Sequence, residues 1–341
     1  VAPEIKAAEV RPQNAIAERP RQILARRLLL AASVVVVVAL GLVLPIPLDG
    51  RLWGNLFDLA HAPVFCAMLL GVVGAFDPQA IGLPSRLSTV VAMTRPRVLR
   101  IAAVLMVVGG VGEFLQKFAG RSPDLGDVAA NGAGIFAGLF WIASRTKSGW
   151  HRCWLVMAFV LILLAVSVDP TLEAWDTVQQ DQSFPLLASF ERPREIGAWL
   201  PHNANIERTE SWSADGKCSA KITLAAGEYP GIVMDWFPSD WRSYRALKME
   251  FHNAGDSELQ LIVKLFDALH EQTGFAPDDR FHQSVVLPPE SDVSVEILLT
   301  DVKNSPATRQ MQLGKMSTIE IFSPTPQPAR SFFVDHLRLE N

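Results

Sequence analysis

The chain has 341 residues, 49% of them hydrophobic and 19% charged, with a net charge of −4. Those averages hide two unlike halves. Residues 1–182 carry every long apolar run and 16 basic against 13 acidic residues, whereas 183–341 carries 15 against 22. An acidic, water-soluble half excludes a nucleic-acid surface, which needs a basic patch. Only Cys218 of the three cysteines falls in that half, which excludes an internal disulfide framework there.

Residues 1–22, rich in Ala, Pro, Glu and Arg, predict a disordered arm. A helical domain follows over 23–168, with five apolar segments at 28–44, 57–76, 101–118, 128–143 and 153–168. Each is near the lower end of the roughly 17–25 residues that cross a hydrocarbon core of about 30 Å. The first has no small-x-small cleavage site in "LGLVLPIPLDGRL", which predicts an uncleaved anchor. Arginines and lysines concentrate before the first segment, between the second and third, and between the fourth and fifth. That bias places the N-terminus in the cytoplasm and, after five crossings, the soluble half outside.

Polar residues interrupt this pattern at matching depths. Asp58 and His61 are one turn apart at the outer end of the second segment. Glu113 lies roughly 20 Å up the third from its inner end, with Gln116 on the same face. Asp127 and Asn131 open the fourth at i and i+4. Ionisable groups in a span mark a functional pocket or interhelical hydrogen bonding. Gly109, Gly110, Gly112, Gly132, Gly134 and Gly138 predict close helix packing, most specifically the Gly134-x-x-x-Gly138 pair.

"FDLAHAPVFCAMLL" and "GEFLQKFAGRSPDLGDVAANGAGIFAG" resemble the VanZ-like family over roughly 28–145. The shared pattern is Asp58 and His61 opening one helix, Glu113 and Gln116 closing another, Arg121, then Asp127, Asn131 and Gly134. Pro63, soon after the histidine, departs from it at a position where a helix kinks. The resemblance implies cell-envelope work related to glycopeptide resistance and supplies no reaction. A histidine among carboxylates suits general acid/base chemistry or a divalent ion, with His61, Glu113 and Asp127 as catalytic candidates and no metal identified. Arg121 with Lys117 suits the phosphate of a lipid-linked precursor.

Residues 169–182 read as a linker. Beyond it, "SAKITL", "RALKMEFHN", "LQLIVKLFD", "FHQSVVLP", "VSVEILLTDV", "STIEIF" and "SFFVDHLRLEN" alternate with turn signals and predict an antiparallel β-sandwich over 183–341. The run from "LASFE" to "FFVDHLRLE" resembles the galactose-binding-like jelly rolls of carbohydrate-binding modules. That implies glycan or protein binding, and a structural calcium near Asp335. Aromatic faces suit a pyranose ring, so Trp212, Trp236, Trp241 and Tyr244 are the stacking candidates, with Asp279, Arg280 and His282 as polar partners. His202, His252, His270 and His336 read as surface or turn residues.

The sequence thus describes a multi-domain membrane protein of the bacterial cytoplasmic membrane, a five-span α-helical bundle followed by a periplasmic or extracellular jelly roll. Its expected partners are a membrane lipid or lipid-linked glycan, and a polysaccharide or envelope protein. No cofactor signature is present. The alternative is a membrane-embedded enzyme acting on a lipid-linked envelope precursor.

Overall fold

The computed structural model describes residues 50–84, 93–116, 124–325 and 330–341, with 25, 28, 29, 32, 34 and 36. The N-terminal arm, most of the first apolar segment and Arg121 therefore lie outside the described residues. The chain divides into two compact units, one containing Phe57–Val168 and the other Leu48–Leu56 with Asp169–Asn341.

The helices are α1 (Arg51–Phe76), α2 (Arg95–Gln116), α3 (Leu125–Ser144) and α4 (Gly149–Ser183). All four are long and apolar enough to cross a membrane. Pro63 lies inside α1, which continues past it as one helix. The stretch 169–182, expected as a linker, is the end of α4, and Pro170 does not stop that helix. Asp124 caps α3 by accepting from the Gly126 N–H at 2.7 Å.

The helical unit packs around Phe65, Met68, Leu69 and Val73 of α1, Val98, Ala102 and Leu105 of α2, and Ile135 of α3. Glycines set the approach. A Cβ at Gly134 would meet the Ala62 carbonyl oxygen at 2.1 Å, and one at Gly138 would meet Leu69 at 3.0 Å. Gly109 sits against Phe65 and Asn131, and Gly132 against Met106. Gly110 and Gly112, expected in the same role, have nothing within 4 Å of such a Cβ.

The sandwich has two antiparallel sheets. One orders β3 (Ala204–Thr209), β4 (Ser219–Leu224), β11 (Arg330–Glu340), β6 (Ala246–Asn253) and β9 (Ser291–Leu298), with β1 (Leu186–Ala188) also on β11. The other orders β2 (Trp199–His202), β5 (Gly231–Met234), β10 (Met316–Phe322), β7 (Leu259–Asp267) and β8 (Phe281–Leu287). From β8 to β11 successive strands alternate between the sheets, the wrapping of a jelly roll. Strict alternation in β6 and β7 sends Leu247, Met249, Phe251, Leu261, Val263 and Leu265 into the core. The "LTDV" end of an expected strand is instead the short helix α5 (Leu299–Asn304), whose Leu299 and Val302 face the core.

Candidate functional site

In the helical unit, α1, α2 and α3 bring the sequence-predicted polar residues together. His61 is fully buried, and its Nδ1 lies 2.9 Å from Asn131 Oδ1 and 3.8 Å from Glu113 Oε1. Its Nε2 faces Asp127 Oδ2 at 3.6 Å. Asp127 lies in the first turn of α3, where the helix dipole favours an anion. One donor atom each from Asp58, His61 and Asp127 lie within 4.8 Å of one another, close enough to share a metal ion. His61 Nε2 and Asn131 Nδ2 are buried and make no hydrogen bond. Gln116 closes α2; its side chain and Arg121 lie outside the described residues.

In the sandwich unit the glycan candidates separate. Trp241 is fully buried, its Nε1 donating to Pro238 O at 3.0 Å, so its ring is core and not a platform. Tyr244 packs edge-on to Phe184 and against the core. Trp212 is stacked on His252 at 5.3 Å and donates to Asp292 Oδ1 at 3.0 Å, so one face and its N–H are taken within the protein. It borders a cavity of about 440 Å³ with Glu250, Asp292 and Arg338. His282 is exposed on β8, opposite Lys264. Arg280 is half-buried.

Asp279 is a structural acid. Arg309 reaches it through Nε at 2.6 Å and an NH2 nitrogen at 2.8 Å, and reaches buried Asp267 through two further bonds at 2.6 and 2.7 Å. His270, expected at the surface, is buried with Nδ1 3.2 Å from Asp279 Oδ2. The Arg309 guanidinium chiefly holds the Asp279 carboxyl at about 2. Asp335, the residue expected near a calcium, is fully buried, and its oxygens accept from the backbone N–H groups of Ala214, Asp215 and His336. Burial pushes its carboxyl above the usual range, against the pull of those bonds.

Trp236 lies differently. It is 39% exposed and lines a pocket of about 700 Å³ with Trp53, which is 41% exposed. Every lining residue belongs to the sandwich unit, because that unit includes Leu48–Leu56 and the end of α4. Asp181, Asp235, Ser239 and Ser317 supply polar edges, and neither indole stacks on another ring among the described residues. One wall is fixed by Arg51, which bonds Gln180 Oε1 at 3.4 Å and the Arg194 carbonyl at 3.2 Å and lies 3.6 Å from Asp176. Gly197 leaves room for it: a Cβ there would sit 2.9 Å from the guanidinium. Asn55 adds a bond to Thr177 at 3.2 Å.

Sequence reasoning missed Trp53, Asp181 and Arg309. Trp53 lies just before an apolar segment, and nothing local ties it to the loop after β5 almost two hundred residues away. Arg309 carried a faint signal, a lone cation in "PATRQMQLG" between two strands.

No family model matches the chain, and no curated protein matches it. Among solved structures, an exo-beta-agarase is 15% identical over 46% of this chain and 24% of its own, at a TM-score of 0.36. This chain therefore spans about a quarter of that enzyme's length. A family 11 carbohydrate-binding module from Clostridium thermocellum, solved with a beta-1,3-1,4-mixed-linked tetrasaccharide, is 15% identical over 46% of this chain and 94% of its own, at 0.35. The CBM22-1 xylan-binding domain of Paenibacillus barcinonensis Xyn10C is 13% identical over 45% and 90%, at 0.32. At such scores the likeness carries no argument, and the sandwich is read from its own strand order.

Proposed function

We propose that this chain is an integral membrane protein of the cell envelope whose sandwich unit binds a glycan in the Trp53–Trp236 pocket. The observation that carries this is the pairing of two part-exposed indoles with carboxylates and hydroxyls around one cavity of about 700 Å³. Indole faces take the apolar face of a pyranose, and the polar edges take its hydroxyls. Membrane residence is supported by the apolar side chains that α2 and α4 leave exposed, among them Val104, Val107, Phe114, Leu161 and Leu164. On this reading the helical unit is VanZ-like and engages an envelope lipid or lipid-linked glycan through Asp58, His61, Glu113, Asp127 and Asn131. The sandwich then faces the periplasm or the exterior.

The test is affinity electrophoresis of the full chain in detergent, through gels containing soluble β-glucan, xylan or agarose, with a parallel pull-down on peptidoglycan. Retention by at least one, lost in Trp236→Ala and kept in Trp212→Ala, is expected. No retention by any, or equal retention of both variants, contradicts the reading.

A second reading is a membrane-embedded enzyme on a lipid-linked precursor, favoured by a buried imidazole among carboxylates. Under it, Glu113→Gln abolishes function while the folded protein stays abundant. A variant that merely loses abundance assigns Glu113 to structure.

A further inference from the structure

The geometry points to a divalent metal site in the helical unit, with Asp58, His61 and Asp127 as ligands to a first-row ion, Zn²⁺ above all. It is independent of the Trp53–Trp236 pocket and deepens the reading of Asp58, His61 and Asp127 in the helical unit by placing an ion among them.

His61 Nδ1 is 2.9 Å from Asn131 Oδ1; with the amide assigned that way round its oxygen accepts and Nδ1 carries the proton. In the neutral ring this leaves the lone pair on Nε2. Nε2 is fully buried, has no hydrogen-bond partner, and faces Asp127 Oδ2 at 3.6 Å. A buried ring nitrogen rarely stays without a partner, and a lone pair there is repelled by the carboxylate oxygen it faces. A cation between them turns the repulsion into two bonds.

The remaining geometry suits that cation. Asp58 stands three residues before His61 on α1, and its carboxylate completes a set in which all donor atoms lie within 4.8 Å of one another. Zinc bonds to nitrogen and oxygen are about 2.0–2.2 Å, which sets tetrahedral ligands about 3.3–3.6 Å apart. Closing the set takes about 1 Å of movement shared between two side chains. One imidazole and two carboxylates supply three ligands of the kinds that zinc takes and leave a fourth position open. Magnesium and calcium prefer all-oxygen sets, which the imidazole does not provide. Asn131 then has the part of orienting the liganding ring through its far nitrogen. The competing occupant is a proton on Nε2, either in an imidazolium paired with Asp127 or, with the Asn131 amide turned over to donate to Nδ1, in the neutral ring.

Metal content decides between them. The full chain is purified in detergent with a histidine-free tag, on a Cys153→Ser background because that thiol is exposed. It is stripped with chelator, equilibrated with Zn²⁺, gel-filtered and assayed by elemental mass spectrometry. The site predicts close to one zinc per chain, retained in excess Mg²⁺. Affinity falls tenfold or more in Asp127→Asn and in Asp58→Asn, at unchanged elution volume. Cobalt loading of the unsubstituted site gives an independent readout, the strong visible bands of a low-coordinate ion, so the test survives a variant that fails to fold. Absence of stoichiometric zinc overturns the assignment and leaves the proton as occupant. So does undiminished uptake in both variants.

Discussion

Replacing Arg309 by Met tests whether one side chain holds this end of the sandwich. Its guanidinium makes two bonds to Asp267 and two to Asp279, all between 2.6 and 2.8 Å. Both carboxylates are buried, Asp267 completely and Asp279 at 4% exposure. Removing the cation strands two charges away from water, a change that typically costs about 3–5 kcal/mol. Backbone bonds to Asp267 from Gln312 at 2.7 Å and Leu269 at 3.2 Å remain, which argues for the lower end. At about 2–4 °C per kcal/mol for a domain of this size, melting falls by roughly 6–20 °C. The carboxylates then regain protons at higher pH, so the variant, unlike the parent, gains stability from pH 7 towards 5. Thermal unfolding of the full chain, with hydrogen exchange followed over 259–287 and 305–322, measures both effects. A loss below about 1 kcal/mol, or exchange unchanged in those peptides, refutes the reasoning.

Two acids give opposite pH signatures. Asp279 is held at about 2, below its ordinary 3.8, so its contribution is present above the ordinary value and lost as the pH falls towards 2. The stability gap between parent and Asp279→Asn narrows over that window. Asp335 is raised by burial, so its contribution is present in acid and lost as the pH rises through the raised value. Its gap to Asp335→Asn widens on acidification, and acid titration of unfolding free energy checks both signs. Gly134→Ala drives a methyl to 2.1 Å from the Ala62 carbonyl and lowers folded yield, while Gly110→Ala meets nothing and matches the parent or gains up to about 1 kcal/mol. Trp241→Ala opens a core cavity costing about 3–5 kcal/mol, whereas Trp236→Ala leaves melting near the parent; calorimetry separates them.

The period-two alternation of "SAKITL" and "LQLIVKLFD" made β4 and β7 legible to the residue, because one face of each enters the core. Three- and four-residue strands such as β1, β2 and β5 are too short for a period to show. Asp58, His61, Glu113, Asp127 and Asn131 were readable because polar residues inside apolar helices stand out, and helical spacing fixes their faces. The tryptophans were not separable by sequence. "DWFPSDWRSY" carries Trp236 into a pocket and Trp241 into the core within five residues, and only the path of the chain after β5 tells them apart. Asp279 read as a glycan partner and His270 as a surface or turn residue because the cation that neutralises Asp279, Arg309, arrives about thirty residues later, and His270 is tied into that cluster only through Asp279.

The most direct test of the glycan pocket is Trp53, since no reading of the sandwich alone would select it. A polysaccharide retained in the gel assay is titrated calorimetrically against the full chain and Trp53→Ala in lipid nanodiscs. The account predicts saturable binding weakened tenfold or more by the substitution, at unchanged melting temperature. An unchanged dissociation constant would place the glycan elsewhere and remove the pocket from the account.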